Sequence, residues 1–93
     1  MANYILQTEV NGFVFRTLAQ SSDLPRKEDV IFPDDIAEFI VRKILFKPIM
    51  GHSKEVRTYA NTVIIELSDP SLADEVVSKI RDKMPTWHEG IDS

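Results

Sequence analysis

The sequence contains no cysteine. Disulfide bonds, thiolate metal ligands and a cysteine nucleophile are therefore excluded, and a reducing compartment fits best. Glycine is also scarce, with three in the chain, and none forms the pattern of a P-loop or a dinucleotide-binding loop. No apolar stretch is long enough to span a bilayer, and the first residues lack a basic region followed by an apolar run. We expect a cytoplasmic protein with no cofactor.

With 93 residues, the chain has room for one hydrophobic core. A hydrophobic content of 43% and a charged content of 28% are typical of a globular domain. The formal net charge of -4 argues against broad attraction to nucleic acid or to an anionic membrane, although a local basic patch remains possible.

The clearest local signal is Asn11-Gly12, a dipeptide that favours the type I′ turn of a two-residue hairpin. The flanking apolar residues predict two paired strands, in which Val10 faces Phe13 and Thr8 faces Phe15. One side of this hairpin is then apolar and forms the core face. The other side is only half polar.

Two helices are predicted further along the chain. The first covers about 33–46, because Pro33 suits a first helical turn and the acidic Asp34 and Asp35 suit its positive end. Its apolar positions cover more of the circumference than one sheet would bury. The second begins after Asp69 as N-cap, ends at Pro85 and carries one apolar stripe.

Residues 55–67 are rich in β-branched side chains and predict one long strand, although a hairpin within them stays open. The element order is then ββαβα, an α+β fold. Its simplest arrangement is a three-stranded antiparallel sheet with two helices packed on one face. We expect a single domain over residues 1–84, followed by a C-terminal tail over 85–93.

Neither histidine has a recognisable partner in the sequence. His52 and His88 lie far apart and lack the short ligand spacing of a zinc site, so no metal site and no catalytic residue is assigned. An enzyme that uses His52 or His88 is the third hypothesis for the function. It requires one of them to meet a carboxylate in a pocket.

The leading hypothesis is a non-enzymatic protein-interaction module that binds and modulates a larger partner, as small accessory or inhibitor proteins do. A homodimer is a possible form of it. The apolar excess on the first predicted helix motivates this hypothesis, because surplus apolar surface marks an interface. The candidate contact residues are Arg26, Lys27, Val41, Leu45 and Trp87. Trp87 is alternatively a cap that folds back over the core.

The second hypothesis is a single-stranded nucleic-acid-binding protein that uses the basic segment 42–57. Basic residues neutralise phosphates and aromatic rings stack on bases. The candidate residues are Lys47, His52, Lys54, Arg57 and Tyr59. The acidic total charge makes a plain basic loop the more economical interpretation of this segment.

Overall fold

The computed structural model describes residues 2–45, 61–84 and 86–90. Within them the chain forms one mixed sheet and one α-helix. The elements are β1 (Ala2–Val10), β2 (Phe13–Ser21), β3 (Val30–Ile31), β4 (Phe39–Leu45), β5 (Asn61–Leu67), α1 (Ala73–Asp82) and β6 (Trp87–Glu89). The strand order in the sheet is β3-β4-β5-β1-β2-β6, in which β1 and β5 run parallel and every other pair runs antiparallel.

The predicted hairpin is confirmed as β1 and β2. Val10 pairs with Phe13 and Thr8 pairs with Phe15, in the register that the turn dipeptide predicts. Asn11 and Gly12 have φ values of 54° and 81°, which is the left-handed backbone of a type I′ turn. The apolar side of the hairpin is buried at Tyr4, Leu6, Val10 and Phe15.

The second predicted helix is confirmed as α1 and the short 3-10 turn Pro70–Leu72 that precedes it. The side chain of Asp69 accepts a hydrogen bond from the backbone N–H of Ser71 over 3.0 Å, as an N-cap does. The apolar stripe of α1 is buried at Val76, Val77 and Ile80.

The predicted helix over 33–46 is wrong. Only Pro33–Asp35 form a short 3-10 turn, and Phe39–Leu45 form strand β4. The turn cannot continue as an α-helix because Asp34 and Asp35 have φ values of 51° and 56°. The strand that follows contains Ile40, Val41 and Ile44, whose branched side chains suit a pleated sheet.

This correction removes the apolar excess on which the interaction hypothesis depended. A strand places successive side chains on opposite faces of the sheet, so its apolar residues do not form one helical stripe. Phe39 and Val41 are buried in the core, whereas Ile40, Ile44 and Leu45 are half-buried. The apolar residues cover a wide part of a helix only when the sequence of this strand is interpreted with the helical period of about 3.6 residues.

The predicted fold class is wrong for the same reason. The chain is mainly β, with a six-stranded mixed sheet and one helix in the described residues, not an α+β fold with two helices on a three-stranded antiparallel sheet. The strand from the 55–67 segment lies beside β1, and it runs parallel to β1, not antiparallel as the predicted sheet required. Two strands, β3 and β4, connect β2 to β5 where one helix was predicted. The chain therefore runs along the sheet one more time, so β5 has the opposite direction to the predicted one.

Part of the 55–67 prediction lies outside the described residues, because these resume at Asn61. In the part of the chain that the structure describes, one face of the apolar run in β5 is covered. Val63 and Ile65 are buried against the core, whereas Ile64 between them is half-buried on the opposite face.

One face of the sheet is covered by two segments. Helix α1 lies over it at the end near the hairpin turn, where Asn11 Nδ2 donates a hydrogen bond to Asp74 Oδ1 over 2.6 Å. The segment around the Pro33–Asp35 turn crosses the other end, and Ile36 is buried there. Trp87 of β6 points into this covered face and is 0% exposed, and its indole N–H donates to Asp34 Oδ2 over 2.8 Å.

Candidate functional site

The opposite face of the sheet, which we call the open face, has no element over it among residues 2–45, 61–84 and 86–90. It is formed by the even-numbered side chains of β2 and β5 and by the residues that pair with them. Leu18 is 77% exposed and Val30 is 56% exposed on it. Charged, polar and apolar side chains are interspersed on this face.

Strand β2 has an outer edge that β6 covers only in part. Strand β6 pairs with Phe15, Arg16 and Thr17, and the N–H of Gly90 donates to the carbonyl of Val14 over 2.7 Å. Peptide groups on a strand alternate in direction, so the even-numbered residues of β2 point their N–H and C=O outward. The register of β6 places Thr86 opposite Leu18, so at this end of β2 it is Gln20 whose outward groups face no partner among the described residues.

We call residues Ala19–Ser21 the free edge of β2. Neither these residues nor Thr17 and Leu18 before them carry a charge. Sheet edges in proteins are usually protected by charged side chains, by proline or by being very short, because unpaired backbone groups otherwise accept another strand. The edge at β3 is protected in the last way, since β3 has two residues. The free edge of β2 is also short, but it carries neither a charge nor a proline.

A cleft of about 220 Å³ lies on the open face beside the free edge. Its lining consists of Ile5, Arg16, Thr17, Leu18, Thr86 and His88. Arg16 and His88 are directly opposite each other in the β2 and β6 ladder, so the cleft has a basic end. Ile5 and Leu18 form its apolar part.

Arg16 has an unusual environment in this cleft. Its Nε is buried and has no hydrogen-bond partner among the described residues. Arg16 takes part in none of the ion pairs found among those residues, whose cations are Arg42, Lys79 and Arg81. A buried N–H without an acceptor costs free energy, and the acidic side chain nearest in register is Glu9, the diagonal neighbour of Arg16 on β1.

A second cleft of about 330 Å³ lies on the other side of the same edge, against the covered face. The backbone of β2 forms one wall of it, and the segment Ile31–Asp34 forms the opposite wall. Its lining is mixed, with apolar side chains such as Phe32 and Pro33 beside the polar Gln20 and Asp34. The free edge therefore lies between the basic cleft on the open face and this mixed cleft on the covered face.

The structure separates the five candidate contact residues of the interaction hypothesis. Arg26 and Lys27 are exposed in the loop between β2 and β3, whereas Leu45 is half-buried at the end of β4. Val41 and Trp87 are both 0% exposed, and they lie in strands near opposite edges of the sheet. These residues form no common surface. Trp87 is instead folded back onto the core, which is the alternative position that the sequence allowed for it.

The candidate residues of the nucleic-acid hypothesis lie outside the described residues. This holds for Lys47, His52, Lys54, Arg57 and Tyr59, so that hypothesis stays a prediction. His88 is exposed at the basic cleft, and no group of three or more acidic or histidine side chains in the described ranges could hold a metal ion.

Sequence reasoning missed Leu18, Gln20 and Arg16. The sequence contained one signal for them, because the second side of the hairpin is half apolar and the last five residues of β2 are uncharged. This signal indicates a free edge only when the neighbours of β2 in the sheet are known. Position in the sheet decides whether an uncharged strand end is paired or free.

None of the described helices is long and apolar enough to cross a membrane. A scan against protein-family models found no matching family, and searches of curated proteins and of solved structures found no significant match. The free edge of β2 and its two clefts are the structural features that bear on function.

Proposed function

We propose that this chain is a non-enzymatic protein-binding module, and that it binds an extended segment of a partner protein along the free edge of β2. The observation that carries the proposal is the outward peptide group of Gln20, which lies in an uncharged strand end between two clefts. An added strand would accept and donate the hydrogen bonds that this edge offers.

The mechanism is strand addition. Backbone hydrogen bonds to Gln20 supply part of the affinity, and they are indifferent to the sequence of the partner. Alternate side chains of the added strand point towards the clefts on the two faces of the sheet, and these contacts supply the specificity. Binding also covers the exposed side chain of Leu18, whose burial contributes about 1.5–3 kcal/mol when it is complete.

The test uses a phage-displayed library of random peptides selected against the full chain. We expect enriched peptides to bind at the free edge, and their affinities are measured by fluorescence anisotropy. Gln20→Pro removes the outward N–H and blocks the edge, so it should weaken these peptides by at least about tenfold. Gln20→Ala changes the side chain and keeps the N–H, so it should bind almost as the unmodified chain does.

Gln20 suits this test because its N–H does not bond to β1. Proline is tolerated in an edge strand when its nitrogen faces outward, so the variant should fold, which circular dichroism and thermal unfolding verify. A folded Gln20→Pro variant that binds the enriched peptides as well as Gln20→Ala does would refute strand addition. A selection that enriches no peptide at all would do the same.

A further inference from the structure

We infer that Asn11 is a site of spontaneous deamidation, and that the reaction replaces its hydrogen bond to helix α1 with a repulsive contact. The modified chain carries an aspartate or an isoaspartate at this position. The site lies at the tip of the hairpin between β1 and β2, at the opposite end of β2 from the free edge. This site and the proposed binding edge therefore do not depend on each other.

The reaction is a ring closure between two adjacent residues. The backbone nitrogen of Gly12 attacks Cγ of Asn11 and gives up its proton to water. The Cγ–Nδ2 bond then breaks, and Nδ2 takes up a proton and leaves as ammonia. Water opens the resulting succinimide ring. Attack of water at Cγ gives aspartate, whereas attack at the backbone carbonyl gives isoaspartate, in which the chain continues through the side chain. Water is the only co-reactant.

Gly12 makes this ring closure accessible. Glycine has no Cβ, so no side chain hinders the approach of its nitrogen to Asn11. A Cβ built on Gly12 meets no atom within 4 Å, so the space around the turn is open. Both turn residues are exposed, which gives water access to the ring. The other asparagines of the chain, Asn3 and Asn61, precede a tyrosine and a threonine, whose side chains crowd the attacking nitrogen.

The hairpin reaches the reactive geometry without unpairing its strands. A planar five-membered ring requires the nitrogen of Gly12 to eclipse Cβ of Asn11. For an L-residue this means a ψ of about −120°, which together with a φ of about +60° is the first central position of a type II′ turn. Asn11 already has a φ of 54°. A flip of the peptide between Asn11 and Gly12 therefore converts the observed type I′ turn into the reactive one, and glycine accepts the new φ.

Helix α1 restrains the amide and is affected by the product. Asn11 Nδ2 donates a hydrogen bond to Asp74 Oδ1 over 2.6 Å, which fixes the side chain before the reaction. Deamidation removes this donor, because an ionised carboxylate only accepts hydrogen bonds. Two carboxylates then face each other at the first turn of α1, where Asp74 and Glu75 already place negative charge. The contact between the hairpin and the helix becomes repulsive.

The first experiment measures the reaction by peptide mass mapping while the full chain is kept at mildly alkaline pH. Asn3 is the internal control, because it is exposed like Asn11 but precedes a tyrosine. We expect Asn11 to change from amide to acid at least about tenfold faster than Asn3. Part of the product should be isoaspartate, which enzymatic methyl transfer detects. Equal rates at the two asparagines, or a product without isoaspartate, would overturn the inference.

The second experiment measures the effect of the new charge on stability. Asn11→Asp keeps a residue that suits a type I′ turn, so this variant should fold. We expect its melting temperature to be lower than that of the unmodified chain by at least about 2 °C. Adding Asp74→Asn exchanges the amide and the acid between the two positions, which should restore the hydrogen bond and the melting temperature. A loss that persists in the double variant, or no loss in Asn11→Asp, would refute the repulsive contact.

Discussion

Asp34 accepts a hydrogen bond from the indole N–H of Trp87 over 2.8 Å, although the two residues are 53 positions apart in the chain. This bond joins the segment that crosses the covered face to β6 at the far edge of the sheet. Asp34 makes it from a left-handed backbone conformation with a φ of 51°. The bond satisfies the polar atom of the largest fully buried side chain.

The first prediction concerns this bond. Asp34→Ala should lower the free energy of unfolding by about 1–3 kcal/mol, because it leaves the indole N–H without its acceptor. Asp34→Asn should cost less, since asparagine keeps an acceptor oxygen and tolerates the left-handed backbone. Urea unfolding of both variants, in a double-mutant cycle with Trp87→Phe, measures the pairwise part. Additive effects of the two substitutions would contradict a direct interaction.

The second prediction compares two adjacent isoleucines in β5. Ile65 is 2% exposed in the core, whereas Ile64 is half-buried on the open face. Ile65→Ala should therefore lower the free energy of unfolding by about 2–5 kcal/mol. Ile64→Ala should cost clearly less, because it leaves no enclosed cavity. Chemical denaturation decides between them, and equal losses would mean that both faces of β5 are covered.

The third prediction concerns the hairpin turn. Gly12 has a φ of +81°, and a Cβ built there meets no atom within 4 Å. The cost of Gly12→Ala should therefore come from the backbone alone, at about 1–2 kcal/mol. Gly12→Asn should cost less, because asparagine adopts this conformation more readily. Thermal unfolding that ranks the alanine variant above the asparagine variant would contradict the turn assignment.

The fourth prediction concerns pH. The hydroxyl and then the backbone N–H of Ser71 donate to the carboxylate of Asp69 and lower its pKa below the usual 3.8. A lowered pKa in the folded state stabilises the protein above the unfolded pKa, and this stability is lost as the pH falls through the folded value. The unmodified chain should melt above Asp69→Asn near neutral pH. That difference should shrink as the pH drops below 3.8. A constant difference would contradict the capping role.

The fifth prediction tests the free edge without any ligand. The N–H groups of Thr17 and Ala19 face β1, whereas that of Gln20 faces outward with no partner among the described residues. Amide hydrogen exchange should therefore be slow at Thr17 and Ala19 and fast at Gln20. The measurement reports on the whole chain. Slow exchange at all three positions would mean that another segment already occupies the edge.

Local chemistry made the hairpin and α1 predictable. Asn11-Gly12 forms its turn without help from distant residues, and Asp69 caps a helix through a hydrogen bond to Ser71, its near neighbour. Such signals depend on a few adjacent side chains and hold in any tertiary setting. Register, turn and helix start could therefore be stated before the structure was known.

The segment after Pro33 shows where local chemistry is insufficient. Its proline and two aspartates indicate a helix start, and its apolar residues fit either a helical or an extended period. The choice depends on β5, because β4 gains its hydrogen bonds from residues far along the chain. A partner strand at that distance cannot be inferred from the segment itself.

By itself, the sequence determined one small core, a hairpin in its exact register, one capped helix and the absence of any cysteine chemistry. Only the tertiary structure decided that 39–45 is a strand, that Trp87 is buried against Asp34 and that β2 has a free edge. The physical reason is that strand pairing and edge exposure are relations between distant segments. The proposed binding site consists of such relations, so it emerges only when the sheet is assembled.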